Sequence, residues 1–156
     1  MDVPAEQVRL LAHELIVLQF PLYWYSVPPL LKQWFDLVLT HGWAYGTGGT
    51  ALRGKVLLAA VTTGGRETAY TPDGLNHHTL SEFLFPVEQT ARMCGLEWWA
   101  PFLVQGTHLL DEASIARAAA EYRLALEHLR DGKVDPAAAR TAPRLNDLVA
   151  SAEGGR

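Results

Sequence analysis

Apolar positions recur in two alternating patterns along most of this chain. Helical spacing, with an apolar side chain every three or four residues, is found in Pro4–Glu14 and after Pro29. Mainly apolar runs of six or seven residues, typical of buried parallel strands, are Leu15–Phe20, Val56–Val61 and Trp98–Val104. The order of these patterns predicts an α/β fold, in which a parallel sheet carries helices on both faces.

Signals at the helix ends set the limits of this predicted domain. Thr79 with Glu82 three residues later forms a capping-box pattern, which predicts the start of a helix. The last strong helical pattern, Asp111–Arg130, stops before Gly132. We therefore predict one domain over residues 1–132 and a flexible C-terminal tail, rich in alanine and charge, over residues 133–156.

The candidate chemistry lies where the predicted strands end. In parallel α/β sheets, ligands bind outside the carboxyl ends of the strands. This rule selects three loops, namely Pro21–Val27, Thr62–His78 and Gln105–Leu110.

The loop after the first strand carries three consecutive aromatic residues, Tyr23, Trp24 and Tyr25. A flat aromatic ligand could lie on such a platform while loop amides hydrogen-bond its edge. These residues alone leave open the alternative that the three rings simply cover the core.

The loop after the second strand begins with Thr62-Thr63-Gly64-Gly65. The glycines let the main chain approach a ligand closely, and hydroxyl and N–H groups can bind carbonyls or ring nitrogens. A plain turn is the alternative, whereas a phosphate loop is disfavoured because no Gly-Lys-Ser/Thr follows.

A second glycine-rich stretch, Gly42–Gly46, carries Trp43 and Tyr45. It predicts either a pocket wall or an ordinary long loop. The chain's six histidines show no metal-ligand spacing, so we predict no metal site.

Composition narrows the class of protein. A net charge of −4 and the lack of a basic run argue against a nucleic-acid partner. With one cysteine, Cys94, the chain has no disulfide framework, which fits a cytoplasmic setting. No apolar run is long enough to cross a bilayer.

Together these stretches resemble the NAD(P)H:quinone oxidoreductase family, which includes the DT-diaphorase type and the ancillary oxidoreductases of glutathione-regulated potassium efflux systems. The resemblance covers roughly residues 2–132 and is carried by Gln19–Asp36, His41–Gly46, Thr62–Gly65, Tyr70 and Glu88–Leu96. It implies a flavodoxin-like, doubly wound parallel sheet that binds FMN or FAD at its strand ends, a placement for which flavodoxin is a standard example.

The resemblance also implies roles for individual residues. The catalytic residue would be Tyr70, and Trp43, Tyr45 and His77 would line the substrate pocket, although His77 lies one position beyond the family's active-site histidine. The residues that would bind the flavin are Pro21, Leu22, Tyr23, Trp24, Tyr25, Thr62, Thr63, Gly64 and Gly65. The implied reaction is hydride transfer from NAD(P)H through the flavin to a quinone.

By alignment with the family, the sheet is N-terminally truncated, because the family's first strand and phosphate loop do not appear in this sequence. Leu15–Leu18 is apolar on both faces, as in a central strand, yet in a three-stranded sheet it would form an exposed edge. The resemblance further implies a homodimer, cytoplasmic or peripheral at the inner face of the membrane. A regulatory role with a potassium/proton antiporter is the alternative function.

Overall fold

The structure is a computed structural model that describes residues 1–153, with side chains through Ala150. Its strands are β1 (Leu15–Pro21), β2 (Val56–Thr63), β3 (Glu97–Trp98) and β4 (Phe102–Gln105). Its helices are α1 (Val3–Leu11), α2 (Pro29–Val38), α3 (Leu80–Met93), α4 (Glu112–Arg130), α5 (Pro136–Thr141) and α6 (Leu145–Glu153). Short 3₁₀ turns lie at Glu67–Ala69 and Thr107–Leu109.

Strand β2 lies at the centre of the sheet and pairs in parallel on both sides. Its partner on one side is β1, in a register that runs from Leu15 opposite Val56 to Pro21 opposite Thr62. On its other side β3 pairs with the start of β2 and β4 with its end. The predicted parallel α/β sheet is therefore confirmed.

The third predicted strand is divided in two, which corrects the prediction of one strand over Trp98–Val104. Strand pairing stops between Trp98 and Phe102, where Ala100 donates its N–H to the carbonyl of Ala139 instead of to a strand. Pro101 follows and has no N–H to donate. This break turns the backbone toward the C-terminal helices.

Successive residues of β2 point into two different apolar layers, as the alternation of a strand requires. Leu57, Ala59 and Val61 belong to a cluster that includes residues of α1, α2 and α3. Leu58 and Ala60 belong to a second cluster with residues of α4, α5 and α6. A strand buried on both faces explains the continuous apolar run in the sequence.

Strand β1 lies at the edge of the sheet among the described residues, as the sequence predicted. A groove of about 520 Å³ follows this edge between β1 and the start of α2. A second apolar groove, of about 400 Å³, lies on the α4 face near Gln19, Thr62 and Tyr122. None of the described helices is both long and apolar enough to span a membrane.

The C-terminal segment differs from the flexible tail that the sequence predicted. Asp135 caps α5 by accepting hydrogen bonds from the N–H groups of Ala137 and Ala138. Asn146 makes two hydrogen bonds to the backbone of Leu103 in β4, one to its N–H and one to its carbonyl. Leu145 lies in the second apolar cluster. The segment therefore completes the α4 face of the sheet.

The packing of this segment can be tested by replacing Leu145, whose side chain is 1% exposed, with alanine. We expect the free energy of unfolding to fall by about 2–5 kcal/mol, the range for a buried leucine that leaves a cavity. Leu75→Ala, at a side chain that is 83% exposed, is the matched control and should change stability by less than about 0.5 kcal/mol. Equal effects of the two substitutions in urea denaturation would show that the segment does not pack.

Candidate active site

Loops that leave β1, β2 and β4 are hydrogen-bonded to one another at the carboxyl edge of the sheet. Leu22, after β1, donates its N–H to the carbonyl of Thr62 at 2.8 Å. Gly106, after β4, donates to the carbonyl of Gly65 at 2.8 Å, and the Thr107 hydroxyl donates to the carbonyl of Thr63 at 3.2 Å. These bonds bring together the three loops that the strand-end rule selected.

The loop after β1 is a tight two-residue turn with an unusual backbone. Tyr23 and Ser26 exchange two backbone hydrogen bonds, both at 3.0 Å. Between them Trp24 and Tyr25 have positive φ angles of 49° and 62°, a region that large side chains rarely adopt. Such strain costs on the order of 1–3 kcal/mol per residue and tends to persist at functional sites.

The aromatic side chains of this turn do not cover the core. All three are exposed, and Trp24 is 94% exposed. Tyr25 stacks on Phe83 of α3, with ring centroids 5.0 Å apart. The turn therefore presents aromatic surface to solvent beside the strand ends, so the rings do not simply cover the core, and a platform for a ligand stays a prediction.

The glycine pair after β2 is held between two ring side chains. A methyl group at Gly64 would lie 2.6 Å from His108 Nε2, and one at Gly65 would lie 3.2 Å from Tyr70 Cε2. Beneath them the buried Thr63 hydroxyl donates to the carbonyl of Gly65 at 2.8 Å. A side chain at either glycine would therefore have to displace the His108 or the Tyr70 ring.

Tyr70 follows the 3₁₀ turn Glu67–Ala69 and is fixed from several sides. Its N–H donates to the carbonyl of Glu67 at 2.9 Å, and its ring packs against the cluster on the α1–α3 side. Glu67 also forms an ion pair of 3.2 Å with Arg144, which lies just before α6. The C-terminal segment thus contacts the loop that carries the predicted catalytic residue.

Several hydrogen-bonding groups around the glycine pair have no partner within the described residues. They are the N–H of Gly65, the hydroxyl of Tyr70 and the ring nitrogens of His108. These groups border the half-buried backbone of Gly64 and Gly65, and together they form what is called here the glycine cradle. Such a cradle suits the edge of a flat ligand that carries several hydrogen-bonding atoms.

Trp43 and Tyr45 are half-buried and pack against the cluster on the α1–α3 side. Tyr45 also meets the ring of His41 edge-on, with centroids 5.6 Å apart. His77 is exposed and has a positive φ of 55°. These contacts lie within the loops and the core, so a substrate pocket formed by the three residues stays a prediction.

The ionisable groups of the described chain do not form a metal centre, since no group of three potential ligands occurs in it. The predicted capping box is confirmed by reciprocal hydrogen bonds between Thr79 and Glu82, and those from the Thr79 backbone and hydroxyl lower the pKa of Glu82. Burial raises the pKa of the Cys94 thiol and keeps it inert.

Phe83, His108 and Arg144 are parts of the site that sequence reasoning missed. Phe83 lies at the margin of the buried stripe of α3, and the helical pattern alone does not show that its ring faces the loops. His108 lies in a strand-end loop that the sequence selected, and that position was the only available signal. Arg144 lies in the segment 133–156, which was predicted to be a flexible tail and therefore to make no contact with the site.

A parallel α/β sheet with a cradle at its strand ends defines a ligand-binding protein of the doubly wound class. A family model described as having a flavodoxin-like fold matches residues 1–126. The chain belongs to this flavodoxin-like family. The match confirms the predicted fold. The predicted relationship to quinone reductases is confirmed by the similarity to an NADPH-quinone reductase given below.

Among curated relatives, an ancillary protein of the glutathione-regulated potassium-efflux system, KefF of Salmonella typhimurium, is 50% identical over 123 residues. The alignment covers 79% of this chain and 69% of the relative.

Solved structures with the same fold carry different names. General stress protein 14 of Treponema denticola, in complex with FMN, has 41% identity and a TM-score of 0.77, covering 83% of this chain and 74% of that chain. An NADPH-quinone reductase of P. pentosaceus has 36% identity and a TM-score of 0.73, covering 78% and 72%. A protein called a thermophilic tryptophan halogenase, from Streptomycin violaceusniger, has 46% identity and a TM-score of 0.77, covering 79% and 72%. Because one fold hosts several activities, the function has to be argued from the residues of the site.

The packing of His108 on Gly64 can be tested by a double-mutant cycle. We expect Gly64→Ala to lower the free energy of unfolding by about 1–3 kcal/mol, because the added methyl group pushes the ring away. In a His108→Ala background the same change should cost less than about 0.5 kcal/mol. His108→Ala alone is the control. If Gly64→Ala lowers the free energy of unfolding equally in both backgrounds, the His108 ring does not pack on Gly64.

Proposed function

We propose that this protein binds a flavin at the carboxyl ends of β1, β2 and β4, and that it transfers two electrons from NAD(P)H to quinones. The observation that carries the proposal is the glycine cradle with its unpartnered N–H, phenol and imidazole groups beside an exposed aromatic turn. The KefF relative, the FMN complex of general stress protein 14 and the NADPH-quinone reductase support it.

The residues at the strand ends fit the ring system of FMN, or of FAD. The pyrimidine edge of a flavin is rich in hydrogen-bond acceptors, and the N–H of Gly65 is available as a donor. Thr62 and Thr63 precede the glycines on the same strand end, and the turn formed by Leu22–Tyr25 would run along the ring. Bound flavin supplies the hydride-accepting centre, and the protein positions its partners.

Tyr70 is the residue we propose for a catalytic role. Its hydroxyl lies beside Gly65 without a partner among the described residues and can donate a hydrogen bond to an oxygen on which negative charge develops. Trp43, Tyr45 and His77 are proposed to line the space where the nicotinamide and the quinone bind in turn. In our proposal the protein works in the cytoplasm, as a homodimer.

A second candidate function is regulation of a potassium/proton antiporter, and it is favoured by the 50% identity to KefF. We expect a tagged chain to co-purify with the antiporter when both are expressed in one cell, because related surfaces bind related partners. An unrelated flavodoxin-fold protein serves as the control. Recovery of no more antiporter than the control recovers would contradict this function.

Titration of FMN with the purified chain tests the main proposal. We expect quenching of flavin fluorescence at micromolar protein, together with NAD(P)H-dependent quinone reduction. Tyr70→Phe should keep flavin binding and slow quinone reduction by roughly 10-fold or more, the scale for loss of a transition-state donor.

Tyr122→Phe is the matched control, because Tyr122 packs in the cluster on the opposite face of the sheet from Tyr70. It should leave binding and rate unchanged. Absence of quenching would contradict flavin binding. Unchanged turnover in Tyr70→Phe with flavin bound would remove only the role of Tyr70.

A further inference from the structure

One aromatic ring, that of Phe83, lies between the strand-end loops. Tyr25 stacks on it with centroids 5.0 Å apart and an angle of 30° between the planes. Tyr70 meets it edge-on at 6.1 Å and 85°, and His78 does so at 5.8 Å and 76°. Tyr25 belongs to the turn after β1, whereas Tyr70 and His78 belong to the loop after β2 that leads into α3. One side chain therefore joins two strand-end segments that are distant in sequence.

Phe83 lies at the margin of the buried stripe of α3, three residues after Leu80 and four before Val87. Leu80, Leu84 and Val87 of the same helix are buried in the cluster on the α1–α3 side, whereas Phe83 is half-buried. Aromatic pairs in stacked and edge-to-face geometry contribute about 0.5–1.5 kcal/mol each beyond area burial. Here the stacked pair stabilises Tyr25 in the turn after β1, and the edge-to-face pair stabilises Tyr70 beside Gly65.

Tyr70 is consequently confined on two sides. Gly65 lies against one part of its ring, where an added methyl group would be 3.2 Å from Cε2 and 3.4 Å from the hydroxyl oxygen. Phe83 lies against another part. The hydroxyl makes no hydrogen bond within the described residues, so ring packing and the backbone alone set its direction.

We propose that Phe83 is a positioning residue that holds the Tyr70 hydroxyl in the geometry needed for hydride transfer. This inference rests on the proposed reductase function. The ring contacts of Phe83 are with Tyr25, Tyr70 and His78, and it acts on the reaction through Tyr70. A hydroxyl aimed by packing is sensitive to shifts of less than 1 Å.

The test compares Phe83→Leu with Phe85→Leu, the same change two residues later in α3 at a side chain that is 57% exposed. We expect Phe83→Leu to lower kcat for quinone reduction about 3- to 10-fold, with little change in the KM for quinone and FMN still bound. Phe83→Tyr keeps a ring at this position and should restore kcat. Phe85→Leu should behave as wild type.

Two further measurements separate positioning from general damage. In a Tyr70→Phe background, Phe83→Leu should lower kcat by less than 2-fold, because the group it positions is already gone. In proton NMR of the flavin-free protein, Phe83→Leu should move the Tyr70 ring resonances, since the ring current of Phe83 is lost, whereas Phe85→Leu should not.

The outcomes distinguish this inference from the function on which it rests. If wild type binds no FMN and reduces no quinone, the proposed function and this role both fall, whatever the NMR spectra show. If wild type is active and Phe83→Leu matches Phe85→Leu in kcat, only the positioning role is overturned. Equal effects of Phe83→Leu with and without the Tyr70 hydroxyl would also overturn it.

Discussion

Parallel pairing on both sides of β2 is the constraint on which the rest of the structure depends. β1 joins one side of this strand over its full length, and β3 and β4 share the other side. Its side chains alternate between two apolar clusters, so every helix layer packs against the same eight residues, Val56–Thr63. Since all strands run in one direction, the loops that follow β1, β2 and β4 meet at one edge.

The site at this edge depends on two glycines as much as on the aromatic side chains around them. Gly64 and Gly65 leave a strip of backbone open between His108 and Tyr70. The neighbouring turn keeps Trp24 and Tyr25 in a backbone region that is normally left to glycine or asparagine. Large aromatic residues in that region cost conformational energy, and strain of this kind clusters at ligand-binding and catalytic sites.

Sequence patterns correctly predicted two kinds of element: strands buried on both faces, and helix ends stabilised by contacts between residues close in sequence. The run Val56–Val61 is apolar at every position because both faces of β2 are covered, and Thr79 with Glu82 caps α3 through contacts three residues apart. The strand over Trp98–Val104 was only partly correct, because the interruption at Ala100–Pro101 depends on a hydrogen bond to distant Ala139.

The C-terminal helices were missed because the segment is rich in alanine and charge. An apolar stripe was nevertheless present in α6, where Leu145, Leu148 and Val149 recur at helical spacing and pack in the second cluster. In the candidate site, the strand-end motifs could be predicted because they are continuous in sequence. The grouping of Tyr25, Tyr70 and His78 around Phe83 is a tertiary contact that no local pattern encodes.

The ion pair between Arg144 and Glu67 makes the loop before Tyr70 sensitive to salt concentration. Arg144 also pairs with Asp147 in α6, so one guanidinium connects that helix to the 3₁₀ turn three residues before Tyr70. Both the arginine and Glu67 are partly exposed, and the attraction between exposed charges is screened over about 8 Å at physiological ionic strength. Dilute buffer therefore favours a loop tethered to the C-terminal helix, and concentrated salt favours a looser one. The order of this loop is expected to vary with dissolved ions even though the surrounding sheet is held by packing that ions scarcely affect.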